Sequence, residues 1–240
     1  MNNNKLSDLL NLESVKFLFS IFKNHNSEIR LVGGSIRDAL IDREIKDIDL
    51  ATSLEPHDVL ELLRENNIEY DDFAIRYGSI IVFLNNNKIQ ITSLREDINQ
   101  LGRHTSVLYT KDWKKDAARR DFTFNALYLD SDYNVYDYYN GEKDLIEKKV
   151  KFIGEIEDRI KEDYLRIYRY FRFLGLFDQP DIDDTTQSFV EKYIHESLVV
   201  LTNDVIRQEV LKMFNMPFPL NCFYRSQVKF KWVEILKEHF

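Results

Sequence analysis

Apolar residues recur at helical spacing from Leu6 to Asn24, with Leu9, Leu10, Val15, Phe17, Leu18, Ile21 and Phe22 on one face, which predicts a first amphipathic helix. The period then changes. A short apolar strand, Ile29 to Val32, runs into Gly33-Gly34-Ser35, and a helix over Ile36 to Ile41 follows the turn. Asp47 to Thr52 alternates as a strand does, and a helix after Pro56 carries Val59, Leu60, Leu62 and Leu63. Two apolar runs, Ser79 to Leu84 and Lys88 to Thr92, flank Asn85-Asn86-Asn87 and predict a hairpin. The polar stretch Arg95 to His104 is expected to be a mobile loop. Arg119 to Asp130 reads as a helix passing into a strand, and Val135 to Tyr138 as a further strand. From Glu155 the pattern is helical, through Phe177 and again over Thr186 to Phe214.

The pattern predicts an α+β protein, mixed in residues 1–153 and all-helical in 154–240, with the boundary near Gly154. Its 240 residues suffice for one large domain or two small ones with a core. No apolar run approaches the roughly 20 residues that span a bilayer. The start, MNNNKLSD, lacks the charged-then-apolar pattern of a secretory signal. No membrane partner and a cytoplasmic location are therefore expected. A single cysteine, Cys222, excludes a disulfide framework and a multi-cysteine zinc site, and is expected to be a small buried hydrophobe. The five histidines are scattered without metal-ligand spacing. The net charge of −8 argues against a protein that coats nucleic acid non-specifically, which needs a basic surplus to displace counterions. Contact with nucleic acid would have to come from local clusters of Lys and Arg.

Four segments carry candidate chemistry. In Lys46-Asp47-Ile48-Asp49-Leu50, strand alternation puts Asp47 and Asp49 on one face while Ile48 and Leu50 enter the core. Paired carboxylates repel unless a cation lies between them, and Mg²⁺ takes one or two carboxylates plus substrate phosphates. Acids two apart also occur on plain solvated strand faces, so the pair alone decides little. Before it stands Val32-Gly33-Gly34-Ser35-Ile36-Arg37-Asp38, a strand, a glycine turn and a helix start that can cradle a phosphate, with Arg37 in reach of the same anion. The third segment, Asp116-Ala117-Ala118-Arg119-Arg120-Asp121, has adjacent arginines suited to phosphate and ribose. In the fourth, Asp163, Arg166, Arg169 and Arg172 recur every three residues among Leu, Ile, Tyr and Phe, forming a slanting ridge on a helix. Such arginines serve either a structural salt-bridge network or a nucleotide pocket in which carboxylate and guanidinium read a base edge.

In this order the four segments resemble the class II tRNA nucleotidyltransferases and poly(A) polymerases, almost continuously from Ile29 to Phe173, with a weaker echo over Val205 to Lys212. The wording Arg159-Ile160-Lys161-Glu162-Asp163-Tyr164-Leu165-Arg166 is similar to CCA-adding enzymes of α-proteobacteria and mitochondria. The resemblance implies a polymerase-beta-like nucleotidyltransferase head with a mixed sheet, followed by a helical neck. It implies Mg²⁺ held by the catalytic pair Asp47 and Asp49, and nucleotide contacts from Gly34, Arg37 and Arg120. Asp163 and Arg166 would read the base in place of a template, with Arg169 and Arg172 as further nucleotide contacts. The implied reaction adds C, A or both from CTP and ATP to a tRNA or other RNA 3′ end. The alternatives are poly(A) addition, or a nucleotide-binding subunit of a split enzyme. Two departures stand out. Gln90 occupies the place where relatives tend to carry Glu, a third carboxylate near the metals. The sequence ends at Phe240, soon after the neck, where relatives continue into helices that grip tRNA. Weak RNA binding by the chain alone is therefore expected, with a second polypeptide, a smaller substrate or a decaying gene as the explanations.

Overall fold

The computed structural model describes residues 3–101 and 104–224. Two helices, α1 (Asn3–Asn11) and α2 (Glu13–Asn24), replace the single predicted one. Leu12 adopts an extended ψ of 128° between them, and Phe17, assigned to the apolar face, is 40% exposed. Then follow β1 (Ile29–Val32), α3 (Gly34–Leu40), β2 (Ile48–Thr52), α4 (Pro56–Glu65), β3 (Glu69–Asp71), β4 (Ser79–Leu84) and β5 (Asn87–Ser93). The stretch expected to be a loop instead forms β6 (Arg95–Leu101), paired with β7 (His104–Tyr109) in a two-stranded sheet. Backbone pairing rather than an apolar face makes this ribbon, for Ile98 is 41% exposed. The helix expected from Arg119 comes earlier, as α5 (Trp113–Ala118). The Asp112 carboxylate accepts from the Lys114 and Lys115 N–H groups at its start. β8 (Leu127–Leu129), β9 (Val135–Asp137) and α6 (Gly141–Ile146) follow. The remaining helices are α7 (Ile156–Glu162), α8 (Leu165–Leu174), α9 (Asp184–Val200), α10 (Asn203–Phe214) and α11 (Leu220–Tyr224). Leu201 and Thr202, both extended, divide the helix read as continuous from Thr186 to Phe214. Among the described residues no helix is long and apolar enough to cross a membrane.

The chain divides into two compact units. The first comprises residues 1–99, 105–120 and 124–142, and the second 100–104, 121–123 and 143–240. The first unit holds a seven-stranded sheet in the order β3-β4-β5-β2-β1-β8-β9. It is mixed: β2 pairs β5 in parallel and the other described ladders are antiparallel. Register lines up Leu129, Leu31, Leu50, Ile91 and Ile80 across five strands, each at most 1% exposed. Burying five such side chains is worth roughly 8–15 kcal/mol in gross terms, before the entropy of ordering the chain is subtracted. One residue along, on the opposite face, come Tyr128, Val32, Asp49 and Gln90. The apolar row therefore fixes where Asp49 points.

In the second unit α8 buries Ile167, Tyr168, Tyr170, Phe171, Phe173 and Leu174 and packs against α7, α9, α10 and α11. Phe122 joins this core through a bridge to Phe152 and an edge contact with Phe173. Cys222 is a free, buried thiol, as expected of it. The two units share the mixed and helical elements of an α+β architecture.

Candidate active site

The turn after β1 depends on Gly33. Its φ of 76° and ψ of −123° mirror the ordinary extended conformation, a region closed to residues with a Cβ. The turn is pinned on both sides, since the Gly33 N–H donates to the Leu127 carbonyl at 3.0 Å and its own carbonyl accepts from Arg37 N at 3.1 Å. An added Cβ would sit 3.4 Å from Arg120 Nη1 at Gly33 and 3.5 Å from Arg37 Nη2 at Gly34. Two guanidiniums thus flank the glycines. Ser35 Oγ, beside them, is buried with no hydrogen-bond partner among the described residues, the kind of orphan that calls for an explanation.

Each arginine is held by groups to which the sequence assigned no role. Arg37 donates from Nε and Nη2 to the two oxygens of Asp38, both at 2.9 Å, and from Nη1 to Asn125 Oδ1 at 2.6 Å. Arg120 donates to Tyr128 Oη at 3.3 Å and to Asp116 Oδ2 at 3.2 Å. Asp116 stands inside the quoted arginine motif, Asn125 four residues beyond its end, and Asp38 directly after Arg37, so spacing offered a faint signal. Tyr128 offered none, since it reads as one more apolar strand residue.

Asp47 lies one residue before β2 and is exposed, while Asp49 is half-buried on the strand. Ile48 and Leu50 enter the core as the alternation requires. Burial pushes the Asp49 carboxyl above its ordinary value, Arg120 opposes that, Asp47 reinforces it and Arg37 opposes it again. Asp49 therefore sits within electrostatic reach of its fellow acid and of both arginines. The parallel register sets Gln90 directly beside Asp49. Gln90 Nε2 donates to Thr92 Oγ1 at 3.4 Å.

The donor set can be weighed against Mg²⁺. Among the described residues no group of three or more His, Cys, Asp or Glu could hold a metal ion. That rules out an all-protein cage here and leaves two oxygen donors, Asp47 and Asp49. Two carboxylates completed by substrate phosphates and water suit Mg²⁺, and an acid whose charge burial disfavours gains from a cation.

In the second unit the ridge is distributed differently from its expectation. Asp163 is not on the arginine-bearing helix; it ends α7, and its Oδ1 accepts from the Leu165 N–H at 3.0 Å as α8 starts. An extended φ of −152° at Asp163 breaks the helix there. Arg166 donates to the Arg159 carbonyl at 2.9 Å and to Glu162 at 2.8 Å. Arg169 pairs with Asp121 at 2.5 Å, and Arg172 with Glu209 at 2.8 Å. Every arginine of the ridge thus has an acidic partner, as the salt-bridge reading supposed. Glu209, which also accepts from Lys212 at 2.6 Å, comes from the weaker echo over Val205 to Lys212. Burial raises the Glu209 carboxyl, but Arg172, Lys212 and Arg169 outweigh it and hold it below its ordinary value.

Residues 29–151 match the family model of the poly A polymerase head domain. The chain is 42% identical over 174 residues to the mitochondrial CCA tRNA nucleotidyltransferase 1 of Homo sapiens, covering 72% of this chain and 40% of that protein. It is 31% identical over 209 residues to the CCA-adding enzyme of Staphylococcus haemolyticus, covering 82% and 51%. Its fold matches the crystal structure of the Bacillus stearothermophilus CCA-adding enzyme in complex with CTP, with a TM-score of 0.78 and 25% identity over 88% of this chain and 50% of that one. The chain therefore spans two-fifths to half the length of these relatives. Turn, acids and arginines occur in the matched order on the matched fold, and the chain belongs to the poly A polymerase head-domain family.

Proposed function

We propose that this chain is the nucleotide-handling part of an enzyme that adds C, A or both from CTP and ATP to the 3′ end of tRNA, releasing pyrophosphate. One observation carries the reading: the half-buried Asp49 lies in the field of Asp47, Arg37 and Arg120, with both guanidiniums against the Gly33-Gly34 turn. A triphosphate needs that combination of close backbone approach and fixed positive charge. Arg37 and Arg120 bind its phosphates beside Gly34. Asp47 and Asp49 would hold Mg²⁺, which when bound neutralises triphosphate charge and eases loss of the RNA 3′-hydroxyl proton. No covalent intermediate forms on the chain; its residues act by positioning and by preorganised charge.

Asp163 and Arg166 are the residues we assign to the base edge. Arg166 is buried and fixed by Glu162 and a backbone carbonyl, and a rigid donor beside an acceptor discriminates bases because a wrong edge leaves polar groups unpaired. Arg169 and Arg172 are further nucleotide contacts, sharing their charge with Asp121 and Glu209. The CTP bound to the Bacillus stearothermophilus relative supports the substrate class. The compartment in this reading is the cytoplasm, which a lone free thiol suits.

The test is single-nucleotide incorporation into tRNA lacking its 3′ end, with Mg²⁺ and CTP or ATP alone. Incorporation of C supports CCA addition. Incorporation of A only, on any RNA, replaces it with poly(A) addition. Activity that needs a co-purifying helical protein identifies a split enzyme. Incorporation retained by the Asp47→Ala, Asp49→Ala double variant overturns the mechanism. Asp163→Ala should lower the preference for C and A over U and G, and an unchanged preference removes Asp163 from base reading.

A further inference from the structure

Asp116 is fully buried and belongs to no step of the mechanism above. Its Oδ1 accepts from Arg119 Nε at 2.8 Å and from the Arg95 backbone N–H at 3.2 Å. Its Oδ2 accepts from the Tyr128 hydroxyl at 2.7 Å and from Arg120 Nη2 at 3.2 Å. Arg120 Nε donates in turn to Tyr128 Oη at 3.3 Å, which closes a three-membered ring in which Arg120 donates to both Tyr128 and Asp116, and Tyr128 donates to Asp116. The ring engages the Nε and Nη2 edge of the guanidinium. The remaining nitrogen, Nη1, is the atom that a Cβ on Gly33 would meet at 3.4 Å. Tyr128 is itself wedged, with Trp113 edge-on at 5.3 Å between ring centres and Tyr138 at 6.1 Å. Burial alone would raise the Asp116 carboxyl, but Arg119, Arg120 and the Tyr128 hydroxyl override it and keep the group well below the usual carboxylate range.

We propose that Asp116 and Tyr128 are positioning residues for nucleotide binding, locking the Arg120 guanidinium so that Nη1 faces the glycine turn. The inference rests on the reading that Arg120 contacts the nucleotide's phosphates, and goes beyond it by naming what sets the guanidinium's direction. An arginine on a flexible stem loses side-chain entropy on gripping a phosphate. An arginine already clamped on one edge has lost that freedom before the nucleotide arrives. The tyrosine hydroxyl suits the clamp because it accepts from Arg120 while donating to Asp116, so neither buried partner is left unpaired.

The test is Mg²⁺–CTP binding by calorimetry on the whole chain, for the parent and the Arg120→Ala, Tyr128→Phe and Asp116→Asn variants. Tyr128→Phe removes one oxygen and keeps the ring packing; it should weaken CTP binding about 3- to 10-fold, the worth of one hydrogen bond. Asp116→Asn should weaken it about 10- to 100-fold, the worth of a charged one. The decisive measurement is the cycle. In the Arg120→Ala background, Tyr128→Phe should change affinity less than about 2-fold, because a residue acting through Arg120 has nothing left to position. A purely structural role predicts equal losses in both backgrounds, and equal losses, or no loss in the Tyr128→Phe single variant, overturn the inference. If Asp116→Asn does not fold, the Tyr128→Phe cycle decides alone. CTP affinity unchanged in Arg120→Ala, or absent in the parent, instead overturns the assignment of Arg120 and takes this inference with it.

Discussion

The two adjacent glycines should respond oppositely to the same substitution. Gly33 holds φ 76° and ψ −123°, and a methyl there forces backbone strain of about 1–3 kcal/mol. The turn cannot relax easily, because rotating it breaks the bond to the Leu127 carbonyl or the first bond of α3. The steric part is small, since the new Cβ would meet Arg120 Nη1 and the Asn125 carbonyl at 3.4 Å. Gly34 has no positive φ and starts the helix, and its Cβ would meet Arg37 Nη2 at an ordinary 3.5 Å. Alanine there gains up to about 1 kcal/mol of helix propensity. Urea denaturation should therefore show Gly33→Ala destabilised by about 1–3 kcal/mol with an unchanged denaturant slope, and Gly34→Ala at or above the parent. CTP binding should fall in both. In Gly34→Ala it falls without loss of stability, by about 10-fold or more, because the methyl takes space beside Arg37 meant for a phosphate. Gly33→Ala within about 0.5 kcal/mol of the parent would refute the strain argument. Undiminished CTP binding in Gly34→Ala would refute the placement of the phosphate.

Three further outcomes follow from the same geometry. Because burial raises the folded-state carboxyl of Asp49, its own contribution to the stability of the metal-free protein should be lost as pH rises from the ordinary value of 3.8 through that raised value; the stability of Asp49→Asn relative to the parent should therefore rise with pH across the acid range while incorporation is abolished, and a difference that does not vary with pH sinks the assignment. Gln90→Glu, beside Asp49 in register, should leave turnover equal or higher with Mg²⁺, whereas a clear loss gives Gln90 another role. Arg172→Ala should cost about 1–3 kcal/mol, the worth of one charged hydrogen bond, because Glu209 loses its Arg172 partner but keeps Lys212 at 2.6 Å; an unchanged denaturation midpoint would show that the Arg172–Glu209 pair does not hold α8 to α10.

Alternation sufficed for the β4–β5 hairpin, where β4 buries one face, while β1, buried along its whole length, was legible as a short apolar run. Ile48 and Leu50 entered the core as read, which left Asp49 on the other side. The β6–β7 ribbon was illegible as strand because the run Arg95 to Gln100 has one apolar residue, Ile98, and so shows no alternation. The break at Leu12 was equally hidden, since apolar residues on both sides continue one stripe while a single ψ turns the chain. At the site, motifs located the arginines but not what holds them. Tyr128 meets Asp116 because the chain turns back between α5 and β8, a contact that no helical or strand period records. Asp163 shows the reverse error, where regular spacing with Arg166 suggested one helix and the extended backbone at Asp163 denied it.

The placement of β8 beside β1 also bears on synthesis. β1 has β2 on one edge almost at once, yet its other edge waits for β8, roughly 100 residues later. At about 5–20 residues per second that edge stays open on the ribosome for roughly 5–20 s. Through that interval the nascent chain displays an unpaired hydrogen-bonding row rich in Ile, Leu and Val, a template for pairing with neighbouring chains. Slowing elongation before Leu127 should therefore raise aggregation, and a helper that shields that edge should lower it.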